Sequence, residues 1–219
     1  MGELWAVMDE GGKIELHDIA AVMLASGYSR RFGEADKLLA PLWGQPLAAH
    51  AGALAGVEST AGWKFAIVPS LADDPSGVRN GLFQSMGWTC IENPEPAKGQ
   101  ASALKLGVRA AMQTSAKALV VLLADMPSLP KNILKQLARE ASQAQAVICT
   151  NGTYRGPPAL FHRAIWPQLL ALTGDEGARS VLDALESCTA LKLDPGALRD
   201  VDRPGDLESL EREGRPDPK

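Results

Sequence analysis

Apolar runs alternate along the chain with segments of helical periodicity. Residues 118–124 are continuously apolar and rich in leucine and valine, as expected of a central parallel strand that is buried on both faces. Residues 19–25 form a second apolar run of this kind. Strands that alternate with helices predict βαβ units and a mostly parallel sheet with helices on both faces. The predicted fold class is therefore α/β, a three-layer α/β/α arrangement of the Rossmann-like type.

The same pattern assigns the other elements. The predicted strands are residues 19–25, 65–68, 88–91, 118–124, 146–150 and 191–193. The predicted helices are residues 46–57, 78–86, 100–113, 131–142, 164–172, 177–185 and 207–213. Residues 152–158 are predicted to be a turn-rich loop. We expect a single domain over residues 19–210, preceded by a leader of residues 1–18 and followed by a polar tail of residues 211–219.

Composition narrows the class of protein. The 219 residues are 46% hydrophobic and 22% charged, which is typical of a soluble globular protein. A formal net charge of -4 argues against a general nucleic-acid binder, and no apolar stretch is long enough to span a bilayer. Residues 1–18 lack the features of a secretory signal, and the three dispersed cysteines suit reduced thiols. We therefore expect a cytoplasmic protein that binds neither nucleic acid nor membranes.

The loop after the first strand combines glycines with cations. Gly27 and Gly33 allow the backbone N–H groups to approach an anion, while Arg30, Arg31 and Lys37 supply positive charge. The spacing fits neither a Walker A loop nor a dinucleotide fingerprint. On these residues alone, a polyphosphate cradle and an ordinary turn with solvated charges both remain open.

Other polar residues follow later predicted strands, at the edge of the sheet where ligands bind. Gly99 and Ser102 open a helix whose N-terminus could hold a phosphate or a polar ring edge. Asp125 directly follows the most buried strand, and Asp200 and Asp202 lie near the end of the chain. These carboxylates could hold a divalent cation. Helix caps and Asx turns explain the same residues equally well.

The first loop resembles the Leu-Ala-Ala-Gly-x-Ser-x-Arg-Met/Phe-Gly-x-x-Lys signature of the MobA-like nucleotidyltransferases, and it looks most like the molybdenum cofactor cytidylyltransferases. Further family motifs follow in the same order, at residues 37–47, 93–107, 123–127, 155–161, 172–179 and 200–207. The chain departs from the pattern at Ser26, where alanine is usual, and at Gly205, where glutamate is usual. The resemblance implies a sheet like that of the nucleotide-diphospho-sugar transferases.

The resemblance also implies an activity, the transfer of CMP from CTP to a molybdopterin-type molybdenum cofactor with release of pyrophosphate. It implies Mg²⁺ as the metal, with Mn²⁺ possible, and transient docking to a molybdenum hydroxylase. The implied catalytic residues are Lys37, Arg30 and Asp125. The implied nucleotide-binding residues are Ala25, Ser26, Gly27, Ser29, Arg30, Gly33, Lys37, Gly99 and Ser102. The implied metal ligands are Asp125, Asp202 and Asp200, and the residues facing the pterin are Arg155, Gly156, Pro157, Gly174 and Asp175.

Two alternatives stay open at this point. One is a guanylyl- or sugar-phosphate nucleotidyltransferase on the same fold, because Ser26 could alter the preference for the base. The other is a non-catalytic carrier or chaperone that delivers molybdenum cofactor to a molybdenum hydroxylase without nucleotide turnover.

Overall fold

A mostly parallel sheet forms the centre of the molecule. The computed structural model describes residues 13–28, 31–33, 35–55, 62–174, 178–185 and 187–215, except for the side chains of residues 143, 179 and 180. Within these residues the central strands are β1 (Ile19–Leu24), β4 (Trp63–Pro69), β5 (Thr89–Asn93), β6 (Ala118–Leu123), β7 (Ala146–Thr150), β8 (Arg155–His162) and β9 (Cys188–Lys192). Their order is β5-β4-β1-β6-β8-β7-β9, and β8 alone among them runs antiparallel to its neighbours. Two short strands, β2 (Pro41–Leu42) and β3 (Gln45–Pro46), form a separate hairpin.

Helices cover both faces of the sheet. They are α1 (Leu47–Gly52), α2 (Val78–Ser85), α3 (Gln100–Met112), α4 (Ile133–Glu140), α5 (Trp166–Ala171), α6 (Arg179–Ala184) and α7 (Pro204–Glu213). One apolar cluster holds side chains of α1, α2, α4 and α7, and a second holds side chains of α3, α5 and α6. This arrangement confirms the predicted three-layer α/β/α fold.

Strand β1 lies between the two clusters and contributes to both. Ile19, Ala21 and Met23 belong to the first cluster, whereas Ala20 and Val22 belong to the second. All five residues are fully buried. Because successive side chains of a strand point to opposite faces, a strand covered on both faces is apolar throughout, which is why this run was recognisable in the sequence.

Helix α3 packs unusually close to β1 at Gly107. A Cβ atom built on Gly107 would overlap the side chain of Val22. The glycine that interrupts the apolar stripe of this helix therefore permits the close approach of helix to sheet. Since α3 begins at the ligand-binding edge, this contact also fixes the position of its first turn.

The predicted loop at residues 152–158 is wrong in its second half, where strand β8 begins at Arg155. The ladder between β7 and β8 pairs Ile148 with Ala159 and then Cys149 with Gly156. Pro157 and Pro158 therefore fall in a bulge, where their missing N–H groups cost no ladder hydrogen bond. The sequence Gly-Pro-Pro reads as a turn because local chemistry does not reveal that the partner strand skips these residues.

Several element boundaries also differ from the prediction. Strand β9 occupies residues 188–192, earlier than the predicted 191–193, and α7 begins three residues before the predicted 207. The predicted helix of residues 46–57 becomes α1 followed by a 3-10 turn over Ala53–Ala55, and residues 56–57 lie outside the described part. The division into leader, domain and tail stays a prediction. No helix in the described stretches is long and apolar enough to cross a membrane.

Candidate functional site

A cavity of about 380 Å³ opens at the carboxyl ends of β1 and β6, between the loop that follows β1 and the start of α3. We call residues 25–37 the phosphate loop. Six of the residues predicted for the site line this cavity: Ala25, Ser26, Gly27, Lys37, Gly99 and Asp125. The structure thus brings together residues that lie as much as one hundred positions apart in the sequence, because parallel strands end at one edge of the sheet.

Lys37 is the buried cation of this cavity. It begins a 3-10 turn, Lys37–Leu39, and the side chain of Asp36 caps that turn by accepting a hydrogen bond from the Leu38 N–H. Lys37 is only 9% exposed. Its Nζ donates to Oδ2 of Asp125 at 2.7 Å and to Oδ1 of Asp202 at 3.4 Å. The ammonium group therefore bridges two carboxylates, which we call the carboxylate pair.

The backbone holds the carboxylate pair together. The Val201 N–H donates to the Asp125 carbonyl oxygen at 3.0 Å, so the segment before α7 runs beside the end of β6. Asp200 is exposed as a residue, yet partial burial of its carboxyl group and the nearby negative charge of Asp125 raise the pKa of that carboxyl. Negative charge is thus concentrated at this edge of the sheet.

The carboxylate pair suits a hard divalent cation. Carboxylate oxygens are the ligands that Mg²⁺ prefers, and this ion commonly takes one or two protein carboxylates together with substrate phosphates. Among the described residues, no group of three or more His, Cys, Asp or Glu side chains is arranged to hold a metal ion. Asp125 and Asp202 would therefore supply two ligands, and the remaining ligands would come from phosphate and water. Metal binding by these residues and by Asp200 stays a prediction.

The rest of the phosphate loop is more exposed. Arg31 Nη1 donates to Asp202 Oδ2 at 3.0 Å, and 73% of the Arg31 side chain is exposed. Gly33 adopts a positive φ of 94°, a conformation that favours glycine. Ser29 and Arg30, both predicted for the site, lie outside the described residues.

A buried hydrogen-bond network forms the opposite wall of the cavity. Asn93, at the end of β5, donates from Nδ2 to Ser26 Oγ at 3.0 Å and to Ser102 Oγ at 2.9 Å. Its Oδ1 accepts from the Glu95 N–H at 3.1 Å. Asn93 is 1% exposed, so its bonds fix the relative positions of the phosphate loop and of α3. Asn93 was not predicted for the site, although it follows a predicted strand.

Arg79 is a second residue that the sequence did not reveal. It lies in α2, outside every motif, and its guanidinium group reaches the base of the phosphate loop. Nη1 donates to the carbonyl oxygens of Ala25 and Gly27 at 2.9 and 3.1 Å, and Nε donates to Asp36 Oδ2. No sequence signal marked it, because an arginine in an amphipathic helix is ordinarily solvated.

The residues predicted to face the pterin are dispersed. Arg155 Nη1 donates to Asp183 Oδ1 at 3.1 Å, and the Pro157 carbonyl accepts from the Tyr154 hydroxyl at 2.8 Å. Gly156 packs beneath the Tyr154 ring. The Gly174 carbonyl, in contrast, accepts from the Ala101 N–H at 3.2 Å beside the start of α3. Asp175 lies outside the described residues.

Tyr154 links the start of β8 to the carboxylate pair. Burial raises the pKa of its hydroxyl, and the negative charges of Asp200 and Asp125 raise it further. The hydroxyl therefore remains protonated and donates to Pro157. The first residues of β8 consequently lie near the carboxylates, whereas Gly174 lies on the side of α3.

A larger cavity, about 1120 Å³, lies on the face of the sheet that carries α1, α4 and α7. Its walls include residues 127–132, which follow Asp125, and residues 192–197, which precede Asp200. His50 Nδ1 and Ser128 Oγ belong to residues of this wall and are buried without a hydrogen-bond partner in the described part of the chain. Lys131 and Lys192 give the wall positive charge.

Comparison with known proteins identifies the kind of domain. The family model described as a MobA-like NTP transferase domain matches residues 21–189. The purine catabolism protein PucB of Bacillus subtilis is 30% identical over 206 residues, which cover 89% of this chain and 96% of PucB.

Solved structures share the fold. The manganese complex of Rv0371c from Mycobacterium tuberculosis has a TM-score of 0.69 at 20% identity, and the match covers 90% of this chain and 99% of that one. Molybdopterin-guanine dinucleotide biosynthesis protein A from Archaeoglobus fulgidus has a TM-score of 0.65 at 17% identity, covering 89% and 97% of the two chains. These neighbours confirm the predicted nucleotide-diphospho-sugar transferase-like sheet.

Proposed function

Because the chain belongs to the MobA-like NTP transferase family, we propose that it transfers CMP from CTP to a molybdopterin-type molybdenum cofactor and releases pyrophosphate. One observation carries the proposal. Lys37, from the phosphate loop, contacts both Asp125 and Asp202, which come from two other segments of the chain. A triphosphate cradle and a pair of potential metal ligands thus meet at one cavity.

The chemistry requires little from the protein beyond position and charge. A phosphate oxygen of the acceptor attacks the α-phosphorus of the nucleotide, and the bond from that phosphorus to the leaving pyrophosphate breaks. The acceptor phosphate is already ionised near neutral pH, so no Ser, Cys or His nucleophile is needed. Catalysis then consists of alignment and of neutralising the charge that develops on the leaving group.

We assign the roles as follows. Lys37 and Arg30 stabilise the leaving pyrophosphate, and the backbone at Gly27 and Gly33 lies against the triphosphate together with Ser29. Asp125 and Asp202 hold Mg²⁺, or Mn²⁺ in its place, with Asp200 beside them. The bound cation would supply Lewis-acid polarisation of the α-phosphate.

The base and ribose lie against Ala25, Ser26, Gly99 and Ser102. Ser26 Oγ accepts a hydrogen bond from Asn93, so its own O–H can donate to an acceptor on the base. This donor distinguishes the chain from family members with alanine at this position. Ser26→Ala should therefore change the ratio of the CTP and GTP dissociation constants, and an unchanged ratio would remove Ser26 from base selection.

The choice of base is the finest part of the proposal. The A. fulgidus neighbour is named for a guanine dinucleotide, which favours GTP as the competing donor. Thermal shift with a panel of nucleoside triphosphates separates the two, because a ligand raises stability by RT ln(1 + [L]/Kd). Incubation of each donor with molybdenum cofactor, followed by mass spectrometry of the product, identifies the reaction.

A variant at Asp125 tests the catalytic proposal directly. Asp125→Asn preserves size and hydrogen bonding but removes a negative charge, so metal-dependent pyrophosphate release should be lost while the protein remains folded. Full activity in this variant would overturn the metal assignment. If the unaltered chain binds cofactor but releases no pyrophosphate with either nucleotide, it acts as a carrier for a molybdenum hydroxylase.

The acceptor is proposed to lie near Arg155, Gly156 and Pro157, with Gly174 and Asp175 on the side of α3. Arg155→Ala should raise the KM for the acceptor and leave the KM for the nucleotide unchanged. If Lys192→Ala raises the acceptor KM instead, the acceptor occupies the larger cavity on the other face of the sheet.

A further inference from the structure

The base of the phosphate loop is closed by one side chain from outside it. The guanidinium of Arg79 donates to two carbonyl oxygens, those of Ala25 and Gly27, and to the carboxylate of Asp36. The carbonyls lie where the loop leaves β1, and Asp36 directly precedes Lys37. Arg79 thus joins the two ends of the loop.

Asp36 extends this connection to the turn that carries Lys37. Its Oδ2 accepts from Arg79, while its Oδ1 accepts from the Leu38 N–H at 2.9 Å. A continuous path of hydrogen bonds therefore runs from the end of β1 through Arg79 and Asp36 to Leu38. The position of the Lys37 backbone is set by this path rather than by the exposed tip of the loop.

The carbonyl contacts have a consequence for anion binding. A carbonyl oxygen that faces a triphosphate repels it, whereas one that accepts from a guanidinium group is engaged elsewhere. Arg79 is 8% exposed, and the Asp36 carboxylate balances its charge. Its effect on a polyanion therefore comes from the geometry that it imposes, because preorganised dipoles are what stabilise charge in such a site.

We infer that Arg79 is a positioning residue that presets the phosphate loop for the triphosphate and acts through Asp36. This inference rests on the proposed nucleotidyl transfer. It makes α2, a helix that contributes no residue to the predicted site, part of the nucleotide-binding machinery.

Arg79→Lys tests the inference, because an ammonium group lacks the planar fork that engages three acceptors. The expected result is a rise of roughly tenfold or more in the dissociation constant of CTP or GTP, measured by calorimetry without turnover. In steady-state assays the KM for the nucleotide should rise more than kcat falls. An unchanged dissociation constant would overturn the inference.

Arg163 provides the control. Its guanidinium group also donates to three backbone carbonyls, those of Met112, Thr114 and Ala116, at 2.8 to 3.0 Å. These carbonyls lie at the opposite edge of the sheet, before β6. Arg163→Lys should lower the melting temperature without changing nucleotide affinity. Equal losses of affinity in the two variants would show that Arg79 acts only through general stability.

A double-mutant cycle tests the route through Asp36. Asp36→Asn can still cap Leu38 but loses the charge that pairs with Arg79. The double variant Arg79→Lys/Asp36→Asn should bind nucleotide about as weakly as the weaker single variant, because both changes break one connection. Additive losses would contradict action through Asp36.

Hydrogen exchange separates this inference from the proposed function. Backbone amides of residues 25–38 should exchange faster in Arg79→Lys than in the unaltered protein, with no nucleotide present, and should not do so in Arg163→Lys. Unchanged exchange would overturn the inference whatever the activity. Failure of the unaltered protein to bind any nucleotide would instead overturn the proposed function.

Discussion

Lys37 Nζ lies 2.7 Å from Asp125 Oδ2, although the two residues are 88 positions apart in the sequence. The ammonium group also contacts Asp202. Lys37 therefore neutralises the same carboxylates that are proposed to hold the metal. Metal ion and ammonium group compete for these oxygens, and a bound triphosphate would relieve the competition by offering Lys37 other anionic partners.

This competition leads to a prediction for Lys37→Met, which keeps the apolar stem and removes the charge. The affinity of the nucleotide-free protein for Mn²⁺ should rise about three- to tenfold, since a partly exposed ion pair is worth about 1 kcal/mol. Turnover should fall sharply, because the charge on the leaving pyrophosphate is no longer neutralised. Calorimetric titration with Mn²⁺ measures the first effect. Arg31→Met, which removes an exposed cation from Asp202, is the control, and we expect a smaller change. A weaker Mn²⁺ affinity in Lys37→Met would contradict the competition.

Gly107→Ala should destabilise the protein even though alanine favours a helix by about 1 kcal/mol over glycine. The added methyl group would overlap Val22 in a fully buried contact, and such overpacking costs about 1–3 kcal/mol. Urea unfolding measures the change. The double variant Gly107→Ala/Val22→Ala should recover part of the loss, since the smaller side chain leaves room for the methyl group. A stabilised single variant would show that α3 shifts away from β1 at little cost.

His50 should make the protein less stable in acid. Its Nε2 lies 2.8 Å from the Leu42 carbonyl oxygen, and burial lowers its pKa from the ordinary 6.5. As the pH falls below that value, the unfolded chain binds a proton that the folded protein does not. The free energy of unfolding therefore decreases with falling pH, by at most about 1.4 kcal/mol per pH unit, until the pH passes below the folded pKa.

The variant His50→Gln tests this pH dependence, because the amide can still donate to Leu42 but does not titrate. The decrease in melting temperature between about pH 6.5 and pH 5 should be smaller in the variant than in the unaltered protein. Parallel pH curves for the two proteins would rule out His50 as the cause.

Cys149 should be unreactive in the folded protein. It is fully buried in β7, and burial raises the pKa of its thiol to about 12. Because the thiolate is the reactive form, alkylation at neutral pH should modify Cys149 only after unfolding, whereas the partly exposed Cys188 should react in the native state. Mass spectrometry of peptides from native and denatured samples distinguishes the sites. Rapid native alkylation of Cys149 would show that β7 opens readily.

Local chemistry made much of the site predictable. The glycines and cations of the phosphate loop follow a buried strand, and Asp125 follows another, so the rule that parallel strands end at one edge was enough to place Lys37 and Asp125 together. The contribution of Asp202 rested on the resemblance to the family. The pterin residues were less accessible, because Arg155 and Gly174 belong to segments whose separation depends on the path of β8.

The sequence by itself determined the layered α/β class, the strands buried on both faces and the identity of the residues at the ligand-binding edge, because burial and backbone conformation leave a periodic or compositional trace along the chain. Only the tertiary structure decided which side chains meet. The antiparallel entry of β8, the contact of Gly107 with Val22 and the approach of Arg79 to Ala25, Gly27 and Asp36 all join distant segments. Such contacts depend on how elements pack in three dimensions, and a single residue in its local sequence carries no record of them.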